Sequence, residues 1–437
     1  MSAGIIENIF LKFSEEAICY MKQNLPNGAI EKIKLKETVF DEKGWRDVEN
    51  EEYHYYQGLS SSWKPILGNK PATKKYIKKI NEELSYEIQL HELIAPLLDA
   101  IHQKLSFSLS KEELLEKFRV HRSHWSNKER IYYHYIPLIN FTSHSDVKIS
   151  ELLSIKSIPN ELKSKFNMLF RSSPNEFDLT SWDIWQSKFM LIYKNKWKIG
   201  EKRNEGNGPL LPLMSSLRLN QSGHVGTKSR MVQTSAPKPT IIGPSGGPVR
   251  EYYTQRYGEE YILTNDCTDK IIETYNLLSS IVSSSKYKLL HTPLNRFHIA
   301  YTRTEVVDMI VDYSIALESL LLSDNATELL YRMSMRAAWL LKDVYPPLRT
   351  KKMMQVFYEM RSCIVHSGFT LEDILKKKQI KSKLQEFYGE LSEKKIRIFL
   401  DDLVKPILLA YIDNLSEHGS IHEINKVIDD GIVSWSN

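Results

Sequence analysis

Cysteine is scarce in this chain: three in 437 residues (Cys19, Cys267 and Cys363), far apart and with no Cys-x-x-Cys pair. That excludes a disulfide framework, argues against a thiolate zinc site, and fits a reducing compartment, so a cytoplasmic protein is expected. No apolar run approaches the roughly 18 residues that span a bilayer. The opening MSAGIIENIFLKFSEEA has no basic stretch and is interrupted by Glu7, Glu15 and Glu16, so neither a targeting segment nor a membrane partner is expected. With 18 glycines, 17 prolines, 42% hydrophobic and 26% charged residues, the composition excludes collagen-like repeats and wholesale disorder. Internal repeats are absent as well, and the length suggests two or three domains.

Familiar catalytic signatures are also missing. Gly243 to Pro248 (GPSGGP) superficially resembles a phosphate loop, but it lacks the Gly-Lys-Ser/Thr ending and its prolines remove backbone donors. There is no Gly-x-Ser-x-Gly and no paired-carboxylate motif. His121 and His124 find no third ligand at a suitable spacing, and Arg122 between them would repel a cation. No metal and no cofactor is expected.

The net charge of +5 is unevenly placed. Residues 201–250 hold seven Lys/Arg against two acids, so this segment carries the whole excess and the other 387 residues are balanced. Such a segment is either a footprint for a polyanion such as RNA or a solubilising loop. Tyr252, Tyr253, Arg256 and Tyr257 lie beside it; they suit stacking on unpaired bases, or simply cover a core.

The patterning predicts an α+β chain, mostly α. Helical spacing of apolar residues covers 5–21 and 74–106, and Ser110 with Glu112 and Glu113 reads as the capped start of a helix. Strands are expected over 132–141 and 188–199, with shorter ones over 216–219 and 240–242 inside a segment rich in glycine and proline, and a helix over 266–282. From 304 onward the pattern is helical: a buried helix capped by Thr304, and a second opening at Thr327 and Glu328. A third runs from about 350 to Gly368, and a fourth from Ser392 with Pro406 kinking or breaking it. The expected layout is a mixed region over 1–298, divisible into helical 1–125 and α/β 126–298, followed by an antiparallel helical bundle over 299–437.

One short series carries candidate chemistry: Arg361-Ser-Cys-Ile-Val-His366, followed by Ser367-Gly368. Read alone it is weak, because five helical steps turn about 140° and place the two side chains on different stripes. Arg361 would then be a solvated helix cation and His366 a residue suited to a helix C-terminus.

The surroundings of that series resemble a known family, the HEPN domains, and within it the ApeA-like group of bacterial defence proteins. The resemblance runs through Asn295-Arg296-Phe297, Ala300-Tyr301-Thr302-Arg303, Asp308, Val311-Asp312-Tyr313 and Ala316-Leu317-Glu318-Ser319-Leu320-Leu321. It continues in Glu328-Leu329, Arg332 and Arg336-Ala337-Ala338, and ends in Arg361 to Gly368. It is similar in order and spacing over about 290–370, a fifth of the chain, and thins to fragments such as Leu217-Arg218-Leu219 and Gly223 before that. Ser362 stands where the family often has Asn, Asp or His. The resemblance implies a bundle that dimerises so that two Arg-x4-6-His motifs meet in one composite site, and active members cut RNA without a metal. It therefore implies Arg361 and His366 as catalytic residues of an endoribonuclease in anti-phage defence. The expected partners are RNA, a second copy of the chain, and a phage-derived trigger or an antitoxin.

Three further groups stand beside the motif. Glu318, Arg332 and Arg336 lie in apolar helical stretches where lone charges would be costly. Glu318 is expected to pair with Arg332 or Arg336 and hold the bundle in register; the alternative is a role positioning Arg361 or contacting RNA. Lys376, Lys377 and Lys378 could receive a phosphate backbone or form a solvated loop. Residues 299–437 hold 18 basic against 20 acidic residues, so any RNA contact there is local. The rival reading of the whole is a non-catalytic module of the same type that binds a nucleotide or RNA, or serves a partner protein by dimerising.

Overall fold

The structure is a computed structural model. It describes residues 3–24, 31–41, 44–54, 68–84, 86–88, 90–104, 106–127, 129–159, 187–198, 209–227, 229–234, 245–248, 259–322, 328–418 and 420–435. Among them the chain is α+β and predominantly helical, with three hydrophobic cores.

The first core is helical. α1 (Ala3–Asn24), α2 (Pro71–Leu84), α3 (Leu90–Lys104) and α4 (Lys111–Ser126) bury an aromatic cluster in which Phe10 stacks on Phe118 at 4.5 Å and Phe13 on Tyr76 at 4.8 Å. Ser110 opens α4 with a full capping box: its hydroxyl accepts from the Glu113 amide while the Glu113 carboxylate accepts from the Ser110 amide. His121 bonds the buried carboxylate of Asp99. An antiparallel hairpin of β1 (Glu31–Asp41) and β2 (Gly44–His54), unforeseen in the sequence, interrupts this helical stretch.

The second core lies on one face of a six-stranded antiparallel sheet in the order β5-β6-β7-β3-β8-β9. The strands are β3 (Glu129–Pro137), β5 (Val147–Lys148), β6 (Leu153–Ser157), β7 (Phe189–Lys198), β8 (Ser229–Thr234) and β9 (Ser245–Pro248). A small parallel pair, β4 (Phe141–Ser143) with β10 (Tyr261–Leu263), stacks Phe141 on Tyr261 beside it. The period of two sends Ile136, Leu191, Tyr193, Leu153 and Ile155 inward against α5 (Leu210–Asn220) and α6 (Asn265–Val282).

The strand expected over 216–219 is instead the second half of α5. Pro209 caps this helix and Pro212 sits in its first turn, where a missing amide costs nothing. Every residue from Pro212 to Leu219 is buried, so the apolar face that would have advertised a helix is spread around the whole circumference. Burial on all sides follows from its position between α6 and the long helix α13 (Glu393–Glu417). The strand expected over 240–242 lies outside the described residues.

The third core is formed by helices: α7 (Tyr287–Tyr301), α8 (Val306–Leu321), α9 (Leu329–Leu340), α10 (Pro347–Ser367), α11 (Leu371–Lys376), α12 (Lys378–Tyr388), α13 and α14 (Ile421–Ser434). Leu290, Leu294 and Phe297 of α7 pack into this core, and α7 runs straight through residue 298, where a boundary was expected. α8 starts after Glu305 rather than at Thr304 and touches α7, α9, α10 and α13. Pro347 begins α10, a first-turn position that suits a fixed φ, and the preceding helix has already ended at Leu340. Pro406 lies inside an unbroken α13, whose start is capped by the Ser392 hydroxyl.

α5 joins the second and third cores: Leu213, Met214 and Leu217 belong to the former and Leu219 to the latter. Between them Arg218 is wholly buried. Its guanidinium donates twice to the Val225 carbonyl (3.2 and 3.0 Å), donates to Nδ1 of His298 on α7 (2.9 Å), and lies 4.2 Å over the Tyr301 ring. His298 must then carry its proton on Nε2, which meets the Ser215 hydroxyl at 2.9 Å. The loop after α5 is held from both sides. Lys405 of α13 donates to the Gln221 carbonyl, Tyr301 donates to the Gly223 carbonyl, and the Val225 amide donates back to the Tyr301 hydroxyl. Gly223 has φ +99°, and a Cβ there would sit 2.8 Å from the Tyr261 Cα, so no other residue fits.

Burial, reinforced by the Arg218 cation, holds the His298 pKa well below the usual imidazole value, and burial lowers that of His224. Below a pH of about 6.5 the unfolded chain therefore holds protons that the folded chain refuses. Stability is full above that pH and falls beneath it, by up to about 1.4 kcal/mol per pH unit for each histidine. The denaturant midpoint is expected to drop between pH 7.5 and 5.5 and to drop less in His298→Gln; a pH-independent midpoint would contradict this assignment.

Candidate functional site

α10 carries the motif. Its inward stripe, Met353, Val356, Phe357 and Met360, is fully buried, which fixes the rotation of the helix and turns Arg361 toward α8. There the Arg361 Nε lies 3.5 Å from Oε1 of Glu318, and the guanidinium stands 5.7 Å from the Tyr358 ring. The contact is an ion pair rather than a hydrogen bond, since the buried Nε finds no hydrogen-bonding acceptor among the described residues. The arginine is 22% exposed and the glutamate 29%, so the pair opens to solvent on one side.

His366 occupies the last turn of α10 and is exposed, with no hydrogen bond or ion pair to any described residue. Gly368, at φ +64°, ends the helix in the left-handed conformation; its amide donates to the Ile364 carbonyl and that of Phe369 to Cys363. Within one chain Arg361 and His366 thus sit on one helix without touching, as the 140° rotation requires.

The expected partnership of Glu318 with Arg336 is corrected, and Glu318 instead faces Arg361, the alternative that the sequence left open. Arg336 is 1% exposed and donates through Nε and Nη2 to both carboxylate oxygens of Asp429 on α14, at 2.8 and 2.6 Å, while Nη1 donates to the Leu321 carbonyl. The reason is distance along the chain: α14 returns to pack against α9, and a carboxylate 93 residues away offers a two-pronged acceptor. Glu318, released from that task, faces the motif arginine. Arg332 lies half-buried on α9.

Ser362 is half-buried beside Arg361. The three lysines do not act as one group. Lys376 pairs with Asp373 at 3.2 Å; Lys377 reaches back to the Cys363 Sγ at 3.1 Å and covers the Phe369 ring; Lys378 is exposed at the start of α12. Arg256 and Tyr253 lie outside the described residues. No group of three metal-ligating side chains occurs among the described residues.

The exposed side of α9 and α10 carries large apolar groups. Tyr331, Leu348 and Val365 are 57%, 66% and 48% exposed, and Lys351 lies against the Tyr331 ring. Leu348, Lys351, Gln355, Tyr358, Ser362 and Val365 follow a spacing of three and four along α10, a single stripe that leads to the motif.

No family model matches this chain, and neither a curated protein nor a solved structure matches it.

Two carboxylate bonds to a buried guanidinium set the expected cost of losing Asp429. Asp429→Asn should lower stability by about 1.5–3 kcal/mol, read as a shifted denaturant midpoint. Asp430→Asn, at an exposed neighbouring position, should change it by less than about 0.5 kcal/mol. Equal effects at both positions would contradict the pairing.

Proposed function

We propose that the chain is a metal-independent endoribonuclease of the HEPN type, with Arg361 and His366 as its catalytic residues. The observation that carries this reading is the placement of the two motif residues: a guanidinium held at the surface by Glu318, and an unengaged imidazole at the end of the same helix. Both border the stripe of α10 that carries the exposed Leu348 and Val365.

The chemistry suits those groups. Attack of a ribose 2′-hydroxyl on the adjacent phosphorus needs a base, an acid for the leaving 5′-oxygen, and a cation for the charge gathered on the phosphorane. Imidazole is the side chain suited to proton transfer near neutral pH. A guanidinium stays charged and meets two phosphate oxygens with its planar fork. One chain supplies one of each; two chains apposed through the stripe of Tyr331, Leu348, Tyr358 and Val365 would supply a base and an acid, with two cations between them. Exposed Leu348 and Val365 on α10 with Tyr331 on α9 are what such a homodimer would cover. In this reading Glu318 is a positioning residue that holds Arg361 until phosphate displaces or shares its contact. The products would be a 2′,3′-cyclic phosphate and a 5′-hydroxyl. A cytoplasmic setting, a role in anti-phage defence, and activation by a phage-derived trigger or release from an antitoxin complete the proposal.

One observation favours a second reading. Arg361 is already paired with a carboxylate, and Ser362 offers no further ionisable group, as a binding or dimerising module without turnover would allow.

The variants separate the two. His366→Ala is expected to reduce RNA cleavage by about 10²–10⁴-fold and Arg361→Ala by about 10²–10³-fold, with folding intact by circular dichroism. Cleavage at the wild-type rate in both would remove the site assignment.

A further inference from the structure

The inner face of the six-stranded sheet is filled by α5 and α6, but its outer face carries a different chemistry. In the register of the sheet, Tyr133 stands opposite Lys194 and Tyr135 opposite Ile192, with Ser154 continuing the second row on β6. Directly opposite residues share a face, so these side chains point away from the buried core. Tyr133 and Tyr135, both half-exposed, lie side by side on the central strand with ring centroids 6.4 Å apart and planes 21° apart. The Lys194 ammonium stands 5.8 Å from the Tyr133 ring.

Among the described residues, charge on this face is of one sign where it is free. Lys194 and Lys156 are exposed, and neither forms an ion pair with a described residue. The acids nearby are engaged at the margins, Glu151 with Lys148 and Glu129 with Lys196. Met190, which shares a row with Lys156, is fully buried, so that row is open only at the exposed Lys156 and the rest of the open face is the stretch around Tyr133, Tyr135 and Lys194.

We propose that this outer sheet face is a platform for single-stranded RNA, with Tyr133 and Tyr135 stacking on consecutive bases and Lys194 and Lys156 meeting the phosphates. Rings parallel to one another on a strand present flat surfaces that any unpaired base can cover, while a duplex keeps its bases stacked on each other. The lysines supply the attraction to a polyanion that tyrosines alone lack. The choice of RNA as the polymer rests on the ribonuclease reading. The face would hold the strand that the motif cuts.

The test measures binding separately from cutting. A fluorescent 12-nucleotide single-stranded RNA is titrated into the full chain carrying Arg361→Ala, followed by anisotropy. Tyr133→Ala with Tyr135→Ala should weaken binding at least ~30-fold, since each base stack contributes ~1–3 kcal/mol, whereas the double Phe variant should bind as the parent does. Lys194→Gln, at an exposed position, should lower the slope of log affinity against log salt by about 0.7, even if the double Ala variant does not fold. Unchanged affinity in a folded double Ala variant, or an unchanged salt slope in Lys194→Gln, would overturn the proposal. Cleavage by the otherwise wild-type chain that is indifferent to Tyr133 and Tyr135 would also overturn it, with the nuclease reading intact. Tyrosine-dependent binding without any cleavage would support the platform and count against the nuclease.

Discussion

A single buried cation ties the mixed region of the chain to its helical C-terminal part. Arg218 cannot reach water, and a charge in that position is tolerable only if carbonyl, imidazole and ring surround it. Its surroundings come from three places in the sequence: the helix that bears it, the loop that follows, and α7 of the third core. Moving α5 relative to α7 would strand the guanidinium, which makes separation of the two cores expensive. The neighbouring contacts follow the same logic. Tyr301 and Lys405 hold carbonyls of the loop after α5, and Lys405 is itself paired with Asp401 at 2.8 Å.

This joint has a functional corollary under the proposed reading. α7 leads into α8, which presents Glu318 to Arg361, so the sheet and the motif are linked through two consecutive helices and a set of buried polar contacts. A strand held on the sheet and a scissile phosphate held at the motif would be positioned by one continuous framework. The candidate site itself is built economically. Packing of Met353, Phe357 and Met360 sets the rotation of α10, Glu318 fixes the arginine, and Gly368 ends the helix just beyond the histidine.

Much of the helical part was legible because its signals are local. The Ser110 and Ser392 caps and the Gly368 terminus are read within a single turn, and the structure has all three. Two of the misreadings share a cause, which is that long-range packing leaves no local trace. α5 looked like a strand because burial on every side erased its periodicity. Arg336 was assigned a partner 18 residues before it, whereas Asp429 lies 93 residues after it. The hairpin of β1 and β2 carries only a short alternation, Ile33, Leu35 and Val39 in β1, set among charged residues that outnumber them. At the motif, the spacing of Arg361 and His366 stated that they could not meet within one helix, and in the structure they do not. The tyrosine face had a visible signal in Tyr132-Tyr133-His134-Tyr135, but only the register with β7 shows which of those rings share a side with Lys194.

The central claim is chemical, that a 2′-hydroxyl is the nucleophile and side chains alone move the protons. End-group analysis of RNA incubated with the purified chain and infected-cell extract in excess EDTA tests it most directly. The account predicts fragments bearing 2′,3′-cyclic phosphate and 5′-hydroxyl ends, and no cut at a position carrying a single 2′-deoxyribose. Fragments with 3′-hydroxyl and 5′-phosphate ends, or cutting at the deoxyribose position, would contradict it.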